Sequence, residues 1–325
     1  MICLGLESTA HTFGIGIIDS DCNILANEKK SFVSDSGGIH PREAADLHYK
    51  NARQVLENAL QKAKLSLKDI DLISFSQGPG LGPCLAVGAV AARALALGNK
   101  KPLLGVNHCV AHVEIAKKIT NAKNAIFLYA SGANTQIIGY ESGKYRVYGE
   151  TLDIGIGNLL DAFGRSIGLG FPAGPKIDEM YFQAKNYIEL PYSVKGMDLV
   201  FSGLQTAAQR LVEKADKTDL AYSLMHTAFA ELAEVSERAL AHTEKKELVL
   251  TGGVAASKAL RKMLSEMCNA RGAQLLVPPF ETCTDSGLLP AWLGIVEYTS
   301  GIRMKIEETG IRPKQRTDDV EITWV

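Results

Sequence analysis

The chain has 325 residues, with 35 Lys and Arg against 36 Asp and Glu, and 46% of its residues are hydrophobic. This length allows two or three domains, and this composition excludes a disordered or collagen-like chain. The first seven residues include Glu7 and no basic residue, so we expect no secretory signal peptide. No apolar run approaches the roughly 18 residues that a bilayer requires, so we expect a cytoplasmic protein with no membrane contact. A net charge of −1 argues against a protein that holds nucleic acid by bulk charge alone.

The first part of the chain predicts three strands followed by alternating helices and strands. The predicted elements are strands over 2–6, 13–18 and 23–29, a helix over 41–64, a strand over 71–76, a helix that ends at Leu97, a strand over 102–106 and a helix over about 108–118. The glycine-rich turn over 78–82 joins a strand to a helix, as in a βα unit.

The same pattern restarts near residue 121. The predicted elements are strands over 125–130, 135–140 and 144–149, helices over 159–167, 175–185, 204–213 and about 220–244, a strand over 247–250 and a helix over 255–270. The sequence therefore predicts an α/β protein with two lobes of one fold, each a mixed sheet flanked by helices, over 1–120 and 121–300. We expect these lobes to face each other across a cleft. The remainder, 301–325, alternates like a strand from Val320 to Val325, and we expect this tail to fold back onto one lobe.

Glycine-rich turns indicate where a nucleotide could bind. Gly5-Leu-Glu7-Ser8-Thr9 and Ser131-Gly132-Ala133-Asn134-Thr135 each lie between two predicted strands, and such turns can aim N–H groups and hydroxyls at phosphate. One such turn is weak evidence, but one in each lobe favours a nucleotide cleft. Thr251-Gly252-Gly253-Val254-Ala255 adds paired glycines at the start of a helix. The sequence has neither a P-loop nor the Rossmann glycine spacing.

The pair His108 and His112 indicates a metal site. On a helix these positions share one face, so both imidazoles could bind one ion; the alternative is two histidines on a helix surface. Position 109 is Cys, so the general base of a zinc protease is missing. Tyr129 and Asp285 lie at strand or turn ends that would face the cleft, and they are candidates for the remaining ligands. Such nitrogen and oxygen donors suit iron, manganese or zinc.

Eight motifs in order resemble one family across essentially the whole chain. They are Gly5-Leu-Glu7-Ser8-Thr9, Gln77-Gly-Pro-Gly80, His108-x-x-x-His112, Tyr129-Ala-Ser131-Gly132, Phe171-Pro-Ala-Gly174-Pro-Lys-Ile-Asp178, Phe201-Ser-Gly-Leu204, Gly252-Gly-Val-Ala255 and Cys283-Thr-Asp285. Together they resemble the universal tRNA threonylcarbamoyltransferase family, which is TsaD in bacteria and the catalytic subunit of KEOPS in archaea and eukaryotes. The tail, with Trp324, resembles the archaeal and eukaryotic branch.

The resemblance implies an actin-like, sugar-kinase-like two-lobed ATPase fold (ASKHA), and it assigns roles to residues. The metal ligands implied are His108, His112, Tyr129 and Asp285, for one ion that is iron by preference or zinc. The contacts implied for a nucleotide or an acyl-adenylate are Tyr129, Ala130, Ser131, Gly132, Ala133, Asp161, Gly174, Asp178, Gly253 and Ser257. Asp161 and Asp178 could hold ribose hydroxyls; the alternative for each is a surface helix residue or a helix N-cap.

The activity implied is transfer of a threonylcarbamoyl group from threonylcarbamoyl-AMP to N6 of the adenosine beside the anticodon, in tRNAs that read codons beginning with A. The implied cofactors are the metal ion and ATP or adenylate with Mg. The implied partners are tRNA and KEOPS subunits, including a separate small protein kinase. A small-molecule kinase of the same fold class and a non-catalytic ATP-binding scaffold remain alternatives, while Cys109 disfavours a metalloprotease. The near-zero net charge predicts weak tRNA binding by the isolated chain.

Overall fold

Two five-stranded sheets organise the computed structural model, which describes residues 1–33 and 39–324. The strands of the first sheet are β1 (Ile2–Glu7), β2 (Thr12–Asp19), β3 (Ile24–Ser31), β4 (Leu72–Gly78) and β5 (Leu103–Asn107). The strands of the second sheet are β6 (Ala125–Ala130), β7 (Thr135–Glu141), β8 (Lys144–Glu150), β11 (Glu247–Thr251) and β12 (Gln274–Leu276). A short hairpin, β9 (Val194–Lys195) and β10 (Asp198–Leu199), lies between β8 and β11 in the chain.

Helices cover both sheets. They are α1 (Pro41–Ala63), α2 (Gly82–Asn99), α3 (His108–Thr120), α4 (Ile156–Ser166), α5 (Gly174–Tyr181), α6 (Ser202–Leu211), α7 (Lys217–Thr243), α8 (Lys258–Arg271), α9 (Phe280–Cys283) and α10 (Leu288–Thr299). Buried apolar side chains fill the space between helices and sheets, which is why β1, β2 and β4 are buried almost throughout.

The two sheets have the same topology. The strand order is β3-β2-β1-β4-β5 in the first and β8-β7-β6-β11-β12 in the second, read from the opposite edge. In both, the three strands that come first in the chain pair antiparallel, and the two later strands add in parallel. The predicted α/β architecture of two repeated lobes is therefore confirmed.

Helix α10 lies against the first sheet, although its position in the chain follows the second. Glycines allow the close approach: a Cβ on Gly5 would lie 2.5 Å from the backbone nitrogen of Ala291, and one on Gly16 would lie 2.3 Å from that of Leu288. The domain limits 1–120, 121–300 and 301–325 stay a prediction. By chain order α10 belongs to the second lobe, yet it packs against the sheet of the first.

Helix α2 corrects the expectation that no apolar stretch approaches membrane-spanning length. It has 18 residues, and by length and composition alone it is apolar enough to cross a bilayer. It packs against β4 and α1, with a third of its residues buried. One such helix is weak evidence for a membrane span, because core helices of water-soluble proteins share this composition.

The C-terminal tail contacts both lobes rather than one. The side chain of Gln77 at the end of β4 donates to the carbonyls of Glu308 and Gly310, at 2.8 and 2.6 Å. Further along, Arg316 pairs with Glu150 of β8 at 3.0 Å. The strand predicted over 320–325 does not form among the described residues: Glu321 makes a single bridge with Lys144, and Val325 lies outside them.

Two buried carboxyl groups lie between α3 and α10. Glu114 accepts hydrogen bonds from the hydroxyl of Tyr145 and the indole of Trp324, at 2.7 and 2.8 Å. Burial, and then the charge of Glu114, raise the pKa of Glu297 to about 8. The folded protein therefore keeps a proton on Glu297 that the unfolded chain loses near pH 4.5, so stability falls as the pH rises from about 5 to about 8.

We expect the substitution Glu297→Gln to remove this loss, because an amide carries no charge at any of these pH values. The free energy of unfolding should rise by on the order of 2 kcal/mol at pH 8 and change little at pH 5. Urea unfolding at both pH values measures the difference. The exposed Glu307→Gln serves as control, and an unchanged pH slope in the Glu297 variant would contradict the assignment.

Candidate functional site

A cavity of about 640 Å³ lies between the lobes. The first lobe lines it with residues 9–11, after β1, and 79–81, after β4, while the second lobe contributes residues 131–134 and α4. His108, Tyr129 and Asp285 also line it. This volume is that of a site for a small molecule such as a nucleotide.

Both histidines of the predicted pair are buried, not on a helix surface. Helix α3 begins directly after β5, and Asn107 caps it by accepting a hydrogen bond from the backbone of Val110 at 3.1 Å. His108 and His112 are then one turn apart on the same face, with ring centroids 4.7 Å apart. Their exposed fractions are 4% and 0%.

The donor atoms of His108, His112 and Asp285 lie within 4.8 Å of one another. Oδ1 of Asp285 is 3.6 Å from Nε2 of His108 and 3.2 Å from Nε2 of His112. Donors about 2.1 Å from one ion are separated by about 3.0 Å at a right angle and about 3.4 Å at a tetrahedral angle. The separations, the burial and the nitrogen and oxygen chemistry therefore fit a metal ion.

Tyr129 lies at the end of β6 and completes the predicted set of ligands. Its ring is buried, with its centroid 4.7 Å from that of His112. Burial raises the pKa of its hydroxyl well above the usual value, and the neighbouring Cys109 and Asp285 raise it further. The hydroxyl is thus protonated near neutral pH, and a cation would be required to stabilise the phenolate.

Glu7, at the end of β1, holds the ring of His108. Its Oε2 lies 3.0 Å from Nδ1 of His108, and its exposed fraction is zero. Burial alone would raise the pKa of Glu7, but the charge and hydrogen bond of His108 outweigh it, so the pKa is lowered. Burial likewise opposes the charge on His108, yet Glu7 and then Asp285 raise its pKa to about 9.

Asp285 precedes α10 and is held by contacts from two directions. Burial would raise the pKa of its carboxyl, but the hydrogen bond from His112 and the charge of His108 lower it well below the usual range. The amine of Lys29, on β3, donates to the hydroxyl of Thr284 at 2.8 Å and to the carbonyl of Asp285 at 3.3 Å. The first sheet therefore positions this carboxylate.

The turn after β6 leaves two backbone donors available. Its ends are closed by the N–H of Ser131, which donates to the carbonyl of Asn134 at 2.8 Å. The N–H groups of Gly157 and Asn158 at the start of α4 donate back to the turn. Among the described residues, no acceptor lies against the N–H groups of Gly132 and Ala133. Two such donors can bind a phosphate oxygen.

The structure brings some of the predicted nucleotide contacts to the cavity and leaves others outside its lining. Those that line it are Tyr129, Ser131, Gly132, Ala133 and Asp161, while Ala130, Gly174, Asp178, Gly253 and Ser257 are not among its lining residues. Asp161 accepts a hydrogen bond from the N–H of Ala173 at 2.7 Å, and burial raises its pKa.

Asp178 and Ser257 act together at the start of α8. Asp178 accepts hydrogen bonds from the hydroxyl of Ser257 at 2.5 Å and from the N–H groups of Lys258 and Ala259 at 3.1 and 3.2 Å. Ser257 caps the same helix by accepting from Leu260. These bonds give Asp178 the structural role of stabilising the N-terminus of α8. A ribose hydroxyl would therefore have to bind at a lone pair of the carboxylate that these three bonds leave free.

Two lobes of repeated topology around such a cavity define an ASKHA-type ATPase fold. Solved structures share it: HypF from Thermococcus kodakarensis has a TM-score of 0.64 at 17% identity, over 92% of this chain and 48% of that one. Component A of the (R)-2-hydroxyglutaryl-CoA dehydratase of Acidaminococcus fermentans has a TM-score of 0.56 at 15% identity, over 92% and 99%. These likenesses describe the fold alone.

The family model for TsaD, tRNA N6-adenosine threonylcarbamoyltransferase, matches residues 23–292, and the chain belongs to this family. The chain is 55% identical to the Thermococcus sibiricus protein of that name, over the full length of both. It is 50% identical to a probable bifunctional tRNA threonylcarbamoyladenosine biosynthesis protein of Methanothermobacter thermautotrophicus, of which it covers 61%.

Three contributors to the site were not predicted from sequence: Glu7, Lys29 and Asn107. Glu7 had a local signal, since it is a carboxylate at the end of an apolar strand and beside a glycine turn. Asn107 also had one, since Asn directly before a predicted helix is a common N-cap. Lys29 had none, because its partners lie in residues 284–285.

We expect the substitution Gly155→Ala to weaken nucleotide binding. A Cβ at this position would lie 2.4 Å from the carbonyl oxygen of Gly132 and 2.5 Å from that of Ala133, so the turn must move. Loss of its two backbone donors should weaken binding of an adenylate by about tenfold or more.

Isothermal titration calorimetry with ATP and with a non-hydrolysable acyl-adenylate measures the effect. The matched control is Gly98→Ala, because a Cβ there meets nothing within 4 Å. Wild-type affinity in the folded Gly155 variant would show that the turn does not hold the phosphate.

Proposed function

We propose that this chain transfers a threonylcarbamoyl group from threonylcarbamoyl-AMP to N6 of the adenosine beside the anticodon, in tRNAs that read codons beginning with A. Family membership and full-length relatives named for this activity support the reaction class. The observation that carries the site is the cluster of His108, His112 and Asp285, which borders a cavity lined by both lobes. Neither a small-molecule kinase nor a non-catalytic scaffold accounts for this cluster.

The adenylate phosphate binds at the N–H groups of Gly132 and Ala133. Their lack of an acceptor among the described residues and their position on the cavity wall support this placement. Asp161, which lines the cavity with Gly174 beside it, contacts the ribose. ATP with Mg, or the adenylate itself, is the expected occupant.

One metal ion binds to His108, His112, Tyr129 and Asp285, with iron preferred over zinc. When bound, the ion would act as a Lewis acid toward the acyl group. The chain itself does the rest: Glu7 and Lys29 fix the ligands, the turn after β6 orients the phosphate, and burial excludes water.

The reaction exchanges one bond for another. N6 of adenosine attacks the carbamoyl carbon, the new C–N bond forms, and the bond from that carbon to the phosphate oxygen breaks. AMP leaves with the electron pair, and the N6 nitrogen loses one proton. The backbone donors of Gly132 and Ala133 stabilise the leaving phosphate, because charge develops there as the bond breaks.

Binding of tRNA depends on partners. Because the net charge is −1, the chain neutralises few phosphates, and the basic stretches over 258–262 and 303–316 supply only part of the surface. KEOPS subunits, including a separate small protein kinase, supply the rest, and cytoplasmic tRNA is the substrate. The bifunctional name of the Methanothermobacter relative supports a second activity working beside this one.

We expect His108→Ala and His112→Ala to abolish transfer while the fold persists, because each removes one ligand of the metal. The rate should fall on the order of a hundredfold or more. The assay supplies purified threonylcarbamoyl-AMP, tRNA and partner subunits, and quantifies the modified nucleoside by mass spectrometry.

The exposed His242→Ala is the control and should keep the wild-type rate. Full-rate transfer by either of the other variants, with circular dichroism unchanged, would show that the metal centre has no part in the reaction.

A further inference from the structure

We propose that Glu7 is a positioning residue that selects which nitrogen of His108 faces the metal. This inference rests on the proposed metal centre and adds to it a residue that binds no ion itself. The carboxylate of Glu7 accepts the Nδ1–H of His108, so Nε2, which faces Asp285, is the nitrogen that gives up its proton when an ion binds. Glu7 acts on the centre only through His108.

The two nitrogens of His108 face different partners. Nδ1 lies 3.0 Å from Oε2 of Glu7, while Nε2 lies 3.6 Å from Oδ1 of Asp285. An imidazole that binds a metal carries one proton, on the nitrogen opposite the metal. A carboxylate at Nδ1 fixes that proton there, holds the ring plane and increases the basicity of the other nitrogen.

Other hydrogen bonds hold Glu7 in this orientation. Its Oε1 accepts from the N–H of Thr9 at 2.7 Å and from the hydroxyl of Thr9 at 2.5 Å, and its Oε2 accepts from the hydroxyl of Ser76 at 2.5 Å. With the ring of His108, four donors surround the carboxylate. It is therefore not available as a metal ligand.

The register of the first sheet sets these donors. Strands β1 and β4 pair in parallel, with Leu6 opposite Phe75, so Glu7 and Ser76 come next to each other where the two strands end. The position of Glu7 is thus determined by the sheet and not by a loop. Glu7 can therefore hold His108 with the accuracy that a metal ligand requires.

His112 lacks an equivalent partner. Its Nδ1 is buried and has no hydrogen-bond partner among the described residues. Both imidazoles contact Asp285 through Nε2, but in the described part of the chain only His108 also has a carboxylate at Nδ1. Control of the protonated nitrogen therefore depends on Glu7.

The test is the substitution Glu7→Gln, which keeps the shape of the side chain. The amide has two donors, and one that faces His108 favours a proton on Nε2, where the metal should bind. Affinity for Co²⁺, used as a spectroscopic probe, should fall about 10- to 100-fold. The visible absorption of the Co²⁺-loaded chain should change, because the coordination of the ion changes.

A second readout is the long-range ¹H–¹⁵N spectrum of the Zn²⁺-loaded chain. It should show a protonated Nδ1 on His108 in the wild type, and this signal should be lost or shifted in the Glu7 variant. The control Glu307→Gln makes the same exchange at an exposed carboxylate outside the site. It should retain the Co²⁺ spectrum and bind Co²⁺ with wild-type affinity.

The outcomes separate three cases. Glu7→Gln with the affinity, spectrum and Nδ1 signal of the wild type would overturn the inference, as would a lower melting temperature with unchanged metal binding, which marks a merely structural role. Loss of affinity and a changed spectrum, with Glu307→Gln unchanged, would support it. A wild-type chain that holds Co²⁺ with Nδ1 protonated but transfers no group would contradict the proposed function and still support the role of Glu7.

Discussion

The rest of the site depends on the burial of charge where the two lobes meet. Two carboxylates, of Glu7 and Asp285, and two imidazoles, of His108 and His112, are held close together and largely away from water. Removing such groups from water is costly unless each is paired and hydrogen-bonded. Both carboxylates meet this requirement, because Glu7 is hydrogen-bonded to Thr9, Ser76 and His108, and Asp285 to His112. These partners lie on separate elements of the chain.

The duplicated topology explains how these elements meet. Each lobe places a turn at the end of its first strand, residues 8–11 in the first lobe and 131–134 in the second, and the cavity lies between the two turns. Helix α10 crosses back onto the first sheet, so Asp285, which precedes it, lies beside α3 with its two histidines. The tail reinforces the junction because it contacts both lobes, through Gln77 and Glu150. The repeated topology, with α10 packed back on the first sheet, therefore supplies the cleft, its turns and the cluster of His108, His112 and Asp285.

Local patterns were sufficient to predict the strands other than β9, β10 and β12, the helices other than α9 and α10, and the pair of histidines, because alternation and helical spacing are properties of short segments. The crossing of α10 could not be predicted, since it depends on contacts between Gly5 or Gly16 and a helix nearly 300 residues later. Alternation over 320–325 predicted a strand, but one bridge forms. Asp178 was predicted as a ribose contact, yet its hydrogen bonds go to the start of α8. These bonds depend on the packing of α5 against α8, which no local sequence pattern shows.

The most direct test of a metal-dependent transferase site is anomalous diffraction from crystals of the chain loaded with Fe²⁺ or Zn²⁺, recorded above and below each absorption edge. We expect one peak, about 2.0–2.2 Å from Nε2 of His108, Nε2 of His112 and a carboxylate oxygen of Asp285. A peak elsewhere in the molecule, or no peak in crystals of chain that has taken up one equivalent of the ion, would contradict the proposed centre.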